Sequence, residues 1–373
     1  MELATQKTVL YDTHISLGAR IVSFSGFLMP LHYSGIIEEH NSVRNSVGLF
    51  DLSHMGEFYI SGKDSFPFLQ RITTNDLSKI NVGQAQYSAF CNKLGGIIDD
   101  FLIYRFTDHF LIVVNASNIV KDFMWLKENV NVNEDISIED QSNTFSLLSI
   151  QGPLSLDLLL SLVKNSEEIE SLPYYHYCHT NIGGVDIICS RTGYTGELGY
   201  ELYIKGSGVK SIWNIIMDKG ADLNIQAIGL GARDTLRLEM KYCLYGNDIS
   251  ENNNPLEARL GWITKFGKGD FIGKEKLIQF KSEGIKRKLI GFEISGKGIA
   301  RNGYKLIKNG TVVGHVTSGS YSPSLLTSIG MAYVKSDYTK IGENLIIDAR
   351  GRELQATIVN TPFWTKGTAL DQF

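Results

Sequence analysis

GEFYISG (56–62), KDSFPFLQRI (63–72), AQYSAFCN (85–92), GIIDDFLIYRF (96–106) and FLIVVN (110–115) follow one another in the chain, and their reading decides the fold. The first alternates apolar and polar residues as a strand does, and the second carries Phe66, Phe68 and Leu69 at helical spacing. Two strand-like runs come next, and Lys93-Leu94-Gly95-Gly96 between them supplies the flexible backbone of a hairpin turn. Asp108 turns the chain into FLIVVN, Ala116 to Asn129 reads as an amphipathic helix, and ISIED (136–140) closes an antiparallel α+β unit.

Working outward, FSLLSIQG (145–152) reads as a strand, Pro153 as the first turn of a helix, and LSLDLLLSLV (154–163) as that helix. The hairpin VDIICSRTG–YTGELGYELYI and the helix VKSIWNIIMDKG complete a second unit of similar order. Residues 265–288 carry Lys265, Lys268, Lys274, Lys276, Lys281, Lys286, Arg287 and Lys288 against only Asp270, Glu275 and Glu283, and look like a domain boundary. This run is either a surface that docks an acidic partner or a solvated linker. Beyond it, KLIGFEISG, YKLIKNGTVVGHVTSG, SIGMAYV and ENLIIDARGRELQATIV are short strands separated by turn signals, the pattern of a small β-sandwich or barrel.

The chain has 373 residues, long for one hydrophobic core, so two or three domains are expected. Lys and Arg total 36 against 40 Asp and Glu, a net charge of −4, which argues against nucleic acid as the partner of the whole chain. No apolar run approaches the ~18 residues of a membrane helix, and the first residues lack the apolar core of a signal peptide, so a soluble cytoplasmic protein is expected. Four scattered cysteines without a CxxC pair support neither a disulfide framework nor a zinc site.

Asp99-Asp100 interrupts an apolar strand, and alternation sends the two carboxylates to opposite faces, one of them buried. Asp100 shares a face with Tyr104, which makes either a polar pocket or a strand end near solvent. The glycines of GYTGELGYE (193–201) fail the phosphate-loop pattern, and Gly229-Leu230-Gly231 lacks the third glycine of a dinucleotide fingerprint. Glu201 follows the first set. Arg233 falls in the first turn of the next helix, where a cation works against the helix dipole and calls for an acceptor. Glu201 and Arg233 form either a structural ion pair or part of a site. His40 and His54, outside any metal spacing, read as structural, and Tyr87, Tyr104, Tyr175, Tyr194 and Trp262 could stack a flat ligand or fill a core.

MPLHYSGIIEEHNSVRNSVGLFDLSHMGEF (29–58), TTNDL (73–77), GGIIDDFLIYR (95–105), GYTGELGYE (193–201), GLGARDTLRLEMKYCLYGNDI (229–249) and NPLEARLGW (254–262) together resemble the T-protein family, the aminomethyltransferases of the glycine cleavage system. The resemblance runs from about Thr8 through the C-terminal PFW. It implies an α+β fold arranged as a three-domain cloverleaf around a central folate site. The implied domains are residues 1–50 plus 141–264, an inserted ferredoxin-like unit at 51–140, a basic linker at 265–284, and a jelly-roll-like barrel at 285–373. It implies that the aminomethyl group on the dihydrolipoyl arm of the lipoylated H-protein gives up ammonia while its carbon passes to tetrahydrofolate as 5,10-methylenetetrahydrofolate. The P- and L-proteins are looser partners. Asp100 matches the family's catalytic carboxylate, Glu201 the residue that reads the pterin, and Arg233 a second polar folate contact. Tyr87, Tyr104, Asn115, Tyr175, Tyr194 and Trp262 match the lining of the folate cavity. PFWTKGT departs from the relatives that carry an arginine after the PF pair, with Lys366 in its place.

Three other readings are weighed on sequence alone, and the residues argue firmly against the first of them. A folate-binding accessory protein for iron–sulphur assembly would carry a cysteine in a KGC pattern, where this chain has Lys268-Gly269-Asp270. A folate-dependent demethylase of a small methylated substrate fits the length. A non-catalytic protein that docks a lipoyl carrier would use the basic run 265–288.

Overall fold

The computed structural model describes residues 5–370. The unit read first is a five-stranded antiparallel sheet in the order Gln84–Cys91, Ile97–Arg105, His109–Val114, Gly56–Ser61, Ser137–Asp140. Helices Ser65–Ile72 and Ile119–Glu128 accompany it, and Phe58, Ile60, Phe68, Leu69, Ile103, Ile112 and Leu126 fill the core they share.

A second, six-stranded sheet runs Tyr177–Ile182, Val185–Ser190, Gly199–Lys205, Phe145–Gln151, Gly48–Asp51, Gln226–Ile228. Its pairs are antiparallel except for the last, where Gln226–Ile228 lies parallel to Gly48–Asp51. The N-terminal segment thus contributes a strand that pairs on both sides with residues from after the inserted sheet. Helix Val209–Lys219 buries Val209, Ile212, Trp213 and Ile216, spaced at three and four residues, against this sheet. The helix expected over 154–163 covers only Ser155–Leu160: the Ser161 hydroxyl bonds back to the Leu158 carbonyl at 2.6 Å and the chain turns away. The strand Tyr177–Ile182 was not anticipated, because its buried positions include the polar Thr180, which hides the alternation.

The C-terminal strands close a six-stranded barrel ordered Arg287–Ser295, Thr327–Lys335, Thr311–Ser322, Lys305–Lys308, Asn344–Ala349, Arg352–Val359. The fold class is the expected one, mixed α+β sheets followed by a β-barrel. Within the basic run, Lys274–Glu283 is helical and buries Leu277 against Cys91 and Phe271 of the preceding part of the chain.

A buried carboxylate at one end and a buried ionic cluster at the other fix the helix that carries Arg233. The Glu39 carboxylate accepts the backbone N–H of Gly229 at 2.8 Å, at the N-terminus of helix Leu230–Glu239, where a negative charge favours the dipole and offsets the penalty on the nearby arginine. At the other end Glu239 holds Arg44 at 2.8 Å and accepts from Ser322 and Ser324 of the barrel, tying helix and barrel together. His40 completes this cluster, bonded to Thr235 and Ser324 at 2.8 Å each, a satisfied structural histidine as expected.

Candidate active site

Between the two sheets, the loop after helix Leu230–Glu239 and the Thr361-Pro362 segment after the last barrel strand lies a cavity of about 970 Å³. That is at the upper end of the range for small-molecule sites. Eight of the nine residues singled out from sequence line it: Tyr87, Asp100, Asn115, Tyr175, Tyr194, Glu201, Arg233 and Trp262. Tyr104 does not. It is fully buried one layer behind, its hydroxyl 3.0 Å from Tyr203 and 3.3 Å from Thr192. Its contact with the site is indirect, since Thr192 donates to Glu201 at 2.6 Å.

Alternation along Ile97–Arg105 separates Asp99 from Asp100 as anticipated: Asp99 turns into the core and Asp100 to the cavity. Tyr87, on the neighbouring strand, donates its hydroxyl to Asp100 Oδ2 at 2.7 Å, and the Asn115 carboxamide donates to Oδ1 at 3.0 Å. Burial, and then the charge of Asp99, push Asp100 up to about 7 in spite of these two donors. Its proton therefore exchanges near neutrality, the range in which a carboxyl group serves both as anion and as proton acceptor. Tyr87 also stacks on Trp262, with ring centroids 5.8 Å apart, and Trp262 remains 59% exposed at the rim.

Glu201 and Arg233 do not form the ion pair that sequence left open. The basic residue of that helix engaged by carboxylates is Arg237, which meets Asp234 at 2.6 Å and Asp248 at 2.7 Å. Arg233 lies over the Tyr194 ring, 4.7 Å from its centroid, with no ion pair among the described residues. Burial draws its guanidinium below the ordinary value, against the pull of Tyr194 and Glu201. Glu201 is raised by burial, opposed by Thr192 and Arg233. One of its oxygens accepts a hydrogen bond from the Thr192 hydroxyl, and the other receives no donor among the described residues. The cavity thus offers a free carboxylate oxygen and a free guanidinium, a complement to a planar heterocycle that carries N–H donors beside a carbonyl acceptor.

The glycine-rich stretches have packing explanations. A Cβ at Gly193 or Gly199 would fall 2.2 Å from the side chain of Gln151, which crosses both glycines. A Cβ at Gly229 would sit 2.4 Å from the Leu31 carbonyl oxygen, and one at Gly231 2.6 Å from Ile36. Gly229 and Gly231 let helix Leu230–Glu239 approach Leu31 and Ile36 closely enough to bring Arg233 to the cavity; no phosphate-binding role is needed.

Sequence reading missed several lining residues. His54, read as structural, is almost fully buried in the cavity wall with Nδ1 unpartnered, and burial together with Arg233 lowers it to about 4, so it is a neutral imidazole. Gln86 presents an unpartnered Oε1 while its amide donates to the Asp76 carbonyl at 3.0 Å. Their only sequence signal was membership of DLSHMGEF and of the strand that carries Tyr87. Lys366 lies 6.0 Å from the Trp364 ring and does not line the cavity. Among the described residues no cluster of His, Cys, Asp or Glu could hold a metal, and no helix is long and apolar enough to cross a membrane.

Comparison with known proteins agrees with this architecture. Residues 10–268 match the family model described as the GCVT N-terminal domain, and residues 287–364 match the glycine cleavage T-protein C-terminal barrel domain. The chain is 47% identical over 359 residues to the aminomethyltransferase of Halothermothrix orenii, covering 96% of this chain and 99% of that protein. It is 47% identical over 360 residues to that of Phocaeicola vulgatus, at 95% and 99%. The crystal structure of the glycine cleavage system aminomethyltransferase T from Bartonella henselae superposes with a TM-score of 0.90 at 29% identity, covering 98% of this chain and 99% of that one. The chain belongs to the aminomethyltransferase family, the T-proteins of the glycine cleavage system.

Proposed function

We propose that this aminomethyltransferase takes the aminomethyl group from the dihydrolipoyl arm of H-protein, releases ammonia and passes the one-carbon unit to tetrahydrofolate bound in the central cavity. The observation that carries the reading is the convergence of Asp100, Glu201 and Arg233, from two strands and a helix, on one cavity of about 970 Å³. The free Glu201 oxygen and the unpaired Arg233 guanidinium suit the donor and acceptor edge of a pterin, and Tyr175, Tyr194 and Trp262 supply aromatic walls. Bound there, tetrahydrofolate would supply the nitrogen nucleophile that accepts the carbon.

The protein's own groups do the rest. Asp100, held by Tyr87 and Asn115, presents an anion to the positive charge that develops as ammonia leaves. With its proton exchanging near pH 7, the same carboxylate can take up a proton released in the transfer. The P- and L-proteins are proposed as the wider assembly and the cytoplasm as its place. The chain division proposed is 1–50 with 141–264, 51–140, a 265–284 connection and 285–373.

The test mixes the protein with aminomethylated H-protein, with and without tetrahydrofolate, and follows ammonia and methylenetetrahydrofolate. Folate-dependent formation of both is expected. Tight folate binding without turnover on H-protein would favour the small-substrate demethylase or the accessory role instead.

A further inference from the structure

On the face of the Ile97–Arg105 strand opposite the cavity lies a carboxylate that the reaction does not touch. Asp99 is fully buried, and both its oxygens are occupied by amides. The Asn115 backbone N–H reaches Oδ2 at 3.1 Å, while the Asn115 and Asn118 carboxamides reach Oδ1 at 2.8 and 2.6 Å. The same Asn115 nitrogen also reaches the Asp100 carbonyl oxygen at 2.9 Å and Asp100 Oδ1 at 3.0 Å. One carboxamide therefore joins the buried carboxylate to the one in the cavity.

A third carboxyl completes the row. Asp122, on helix Ile119–Glu128, is fully buried, and neither of its oxygens meets a donor from any described residue. An ionised carboxylate cannot be kept in such a place without donors. Asp122 stands one helical turn beyond Asn118, which grips Asp99 at 2.6 Å, and two buried carboxyls side by side are tolerated only if one keeps a proton. Asp99 has the amide donors that hold an anion and Asp122 has none, so Asp122 is the acid and donates towards Asp99. Burial and then the charge of Asp99 hold Asp122 up at about 11, in keeping with a neutral acid at working pH.

The other ionisable groups around the row leave this assignment in place. Lys121 spends its ammonium on the Ile98 carbonyl at 2.6 Å and the Tyr245 hydroxyl at 2.7 Å, and stands 3.9 Å from Glu251. Tyr245 faces Asp99, Asp122 and Asp100 as a phenol raised by burial. On the cavity side Tyr87, Tyr194 and Cys243 are all raised by burial and stay neutral.

We propose that Asp122 is a positioning residue for the transfer: as a carboxylic acid it donates a hydrogen bond to Asp99, keeps Asp99 an anion, and through Asn115 sets the orientation and protonation of Asp100. This rests on the reading of Asp100 as the catalytic carboxylate. Burial raises Asp99, and the Asp122 donor with the Asn115 and Asn118 amides pulls it back. Without Asp122, Asp99 gains proton affinity and competes with Asp100 for a proton. Once Asp99 is neutral, its repulsion no longer holds Asp100 up, and Asp100 titrates at lower pH.

The experiment uses ligand-free full-length protein labelled with ¹³C at the aspartate carboxyl carbons and titrated by NMR, beside the pH profile of kcat. In the unaltered protein one carboxyl, absent from Asp122→Asn, should stay protonated through neutral pH. Asp122→Asn supplies an amide donor in place of the acid, so it should leave the Asp100 titration within about 0.3 unit and turnover within about twofold of the unaltered protein. Asp122→Ala should lower the Asp100 titration and the acid limb of kcat together, by about one unit. An ionised Asp122, or a shift in Asp122→Asn as large as in Asp122→Ala, would overturn the proposal. So would an Asp122→Ala that melts earlier with its titration unmoved. If Asp122→Ala does not fold, the spectra and Asp122→Asn decide alone. Asp100→Asn serves as the separate control. Full turnover there would refute the catalytic reading of Asp100, whereas the protonation of Asp122 is read without any turnover.

Discussion

Replacing Tyr87 by phenylalanine removes one hydroxyl and tests how Asp100 is tuned. The Tyr87 hydroxyl donates to Asp100 Oδ2 at 2.7 Å, and of the two side-chain donors on that carboxylate it is the shorter. A hydrogen bond to a charged group contributes about 1.5–3 kcal/mol, nearly all of it here to the ionised form. At about 1.36 kcal/mol per pKa unit, its loss raises Asp100 by about one to two units, from about 7 to about 8–9. The ionised fraction at pH 7 then drops from about one half to between about one tenth and one hundredth, a loss of about 5- to 50-fold in turnover. The assay is the pH dependence of kcat for folate-dependent ammonia release. The acid limb should move upward and activity should recover near pH 9. An acid limb that stays in place, moves down, or a loss not recovered at high pH would refute this account of Asp100. Tyr87 would then act through its stacking on Trp262 instead.

Other substitutions separate binding from chemistry and from stability. Glu201→Gln keeps the shape but loses a charge-assisted acceptor, so tetrahydrofolate should bind about 10- to 150-fold more weakly by calorimetry, and an unchanged Kd would remove Glu201 from the ligand's recognition. Arg233→Lys replaces a planar fork with a point charge and should not restore the affinity lost in Arg233→Ala; full restoration would mean that only the charge matters. Glu239→Gln leaves Arg44 with Glu197 alone in a buried cluster and should destabilise the fold by about 3 kcal/mol in urea unfolding, with less than about 1 kcal/mol contradicting the role given to it. Burial alone would raise Glu239, but His40, Arg44 and Ser322 together lower it to about 2. Its contribution is therefore present above the ordinary carboxylate value and lost as pH falls from about 4.5 towards 2, a pH window that the glutamine variant should lack.

Local chemistry made much of the fold legible. Period-two alternation in GEFYISG and the unbroken apolar run FLIVVN, with the Gly95-Gly96 turn, suffice for the inserted sheet, because each strand buries a face on its own helices. What escaped depends on distant partners. Thr180 is buried where an apolar residue would have revealed its strand. Alternation separates Asp99 from Asp100 but does not say which face meets a cavity; Tyr87 on one side and Asn118 on the other decide that. Tyr104 shares the face of Asp100 along the strand, yet Thr192 and Tyr203 from the other sheet close over it. The row Asp122–Asp99–Asn115–Asp100 draws on the strand Ile97–Arg105, the end of the next strand at Asn115 and the helix Ile119–Glu128, so spacing alone could not assemble it. The matching motifs made Asp100, Glu201 and Arg233 candidates, and the lack of an ion pair between the last two is a fact of three dimensions.

The most direct measurement is a single turnover of Asp100→Asn with aminomethylated H-protein and saturating tetrahydrofolate, after circular dichroism and folate affinity show the variant folded and competent to bind. The expected result is folate bound as in the unaltered protein, with methylenetetrahydrofolate formed at least about a hundredfold more slowly. Formation at near-normal rate would contradict the central claim that this carboxylate, raised to about 7 between Tyr87, Asn115 and Asp99, carries the chemistry.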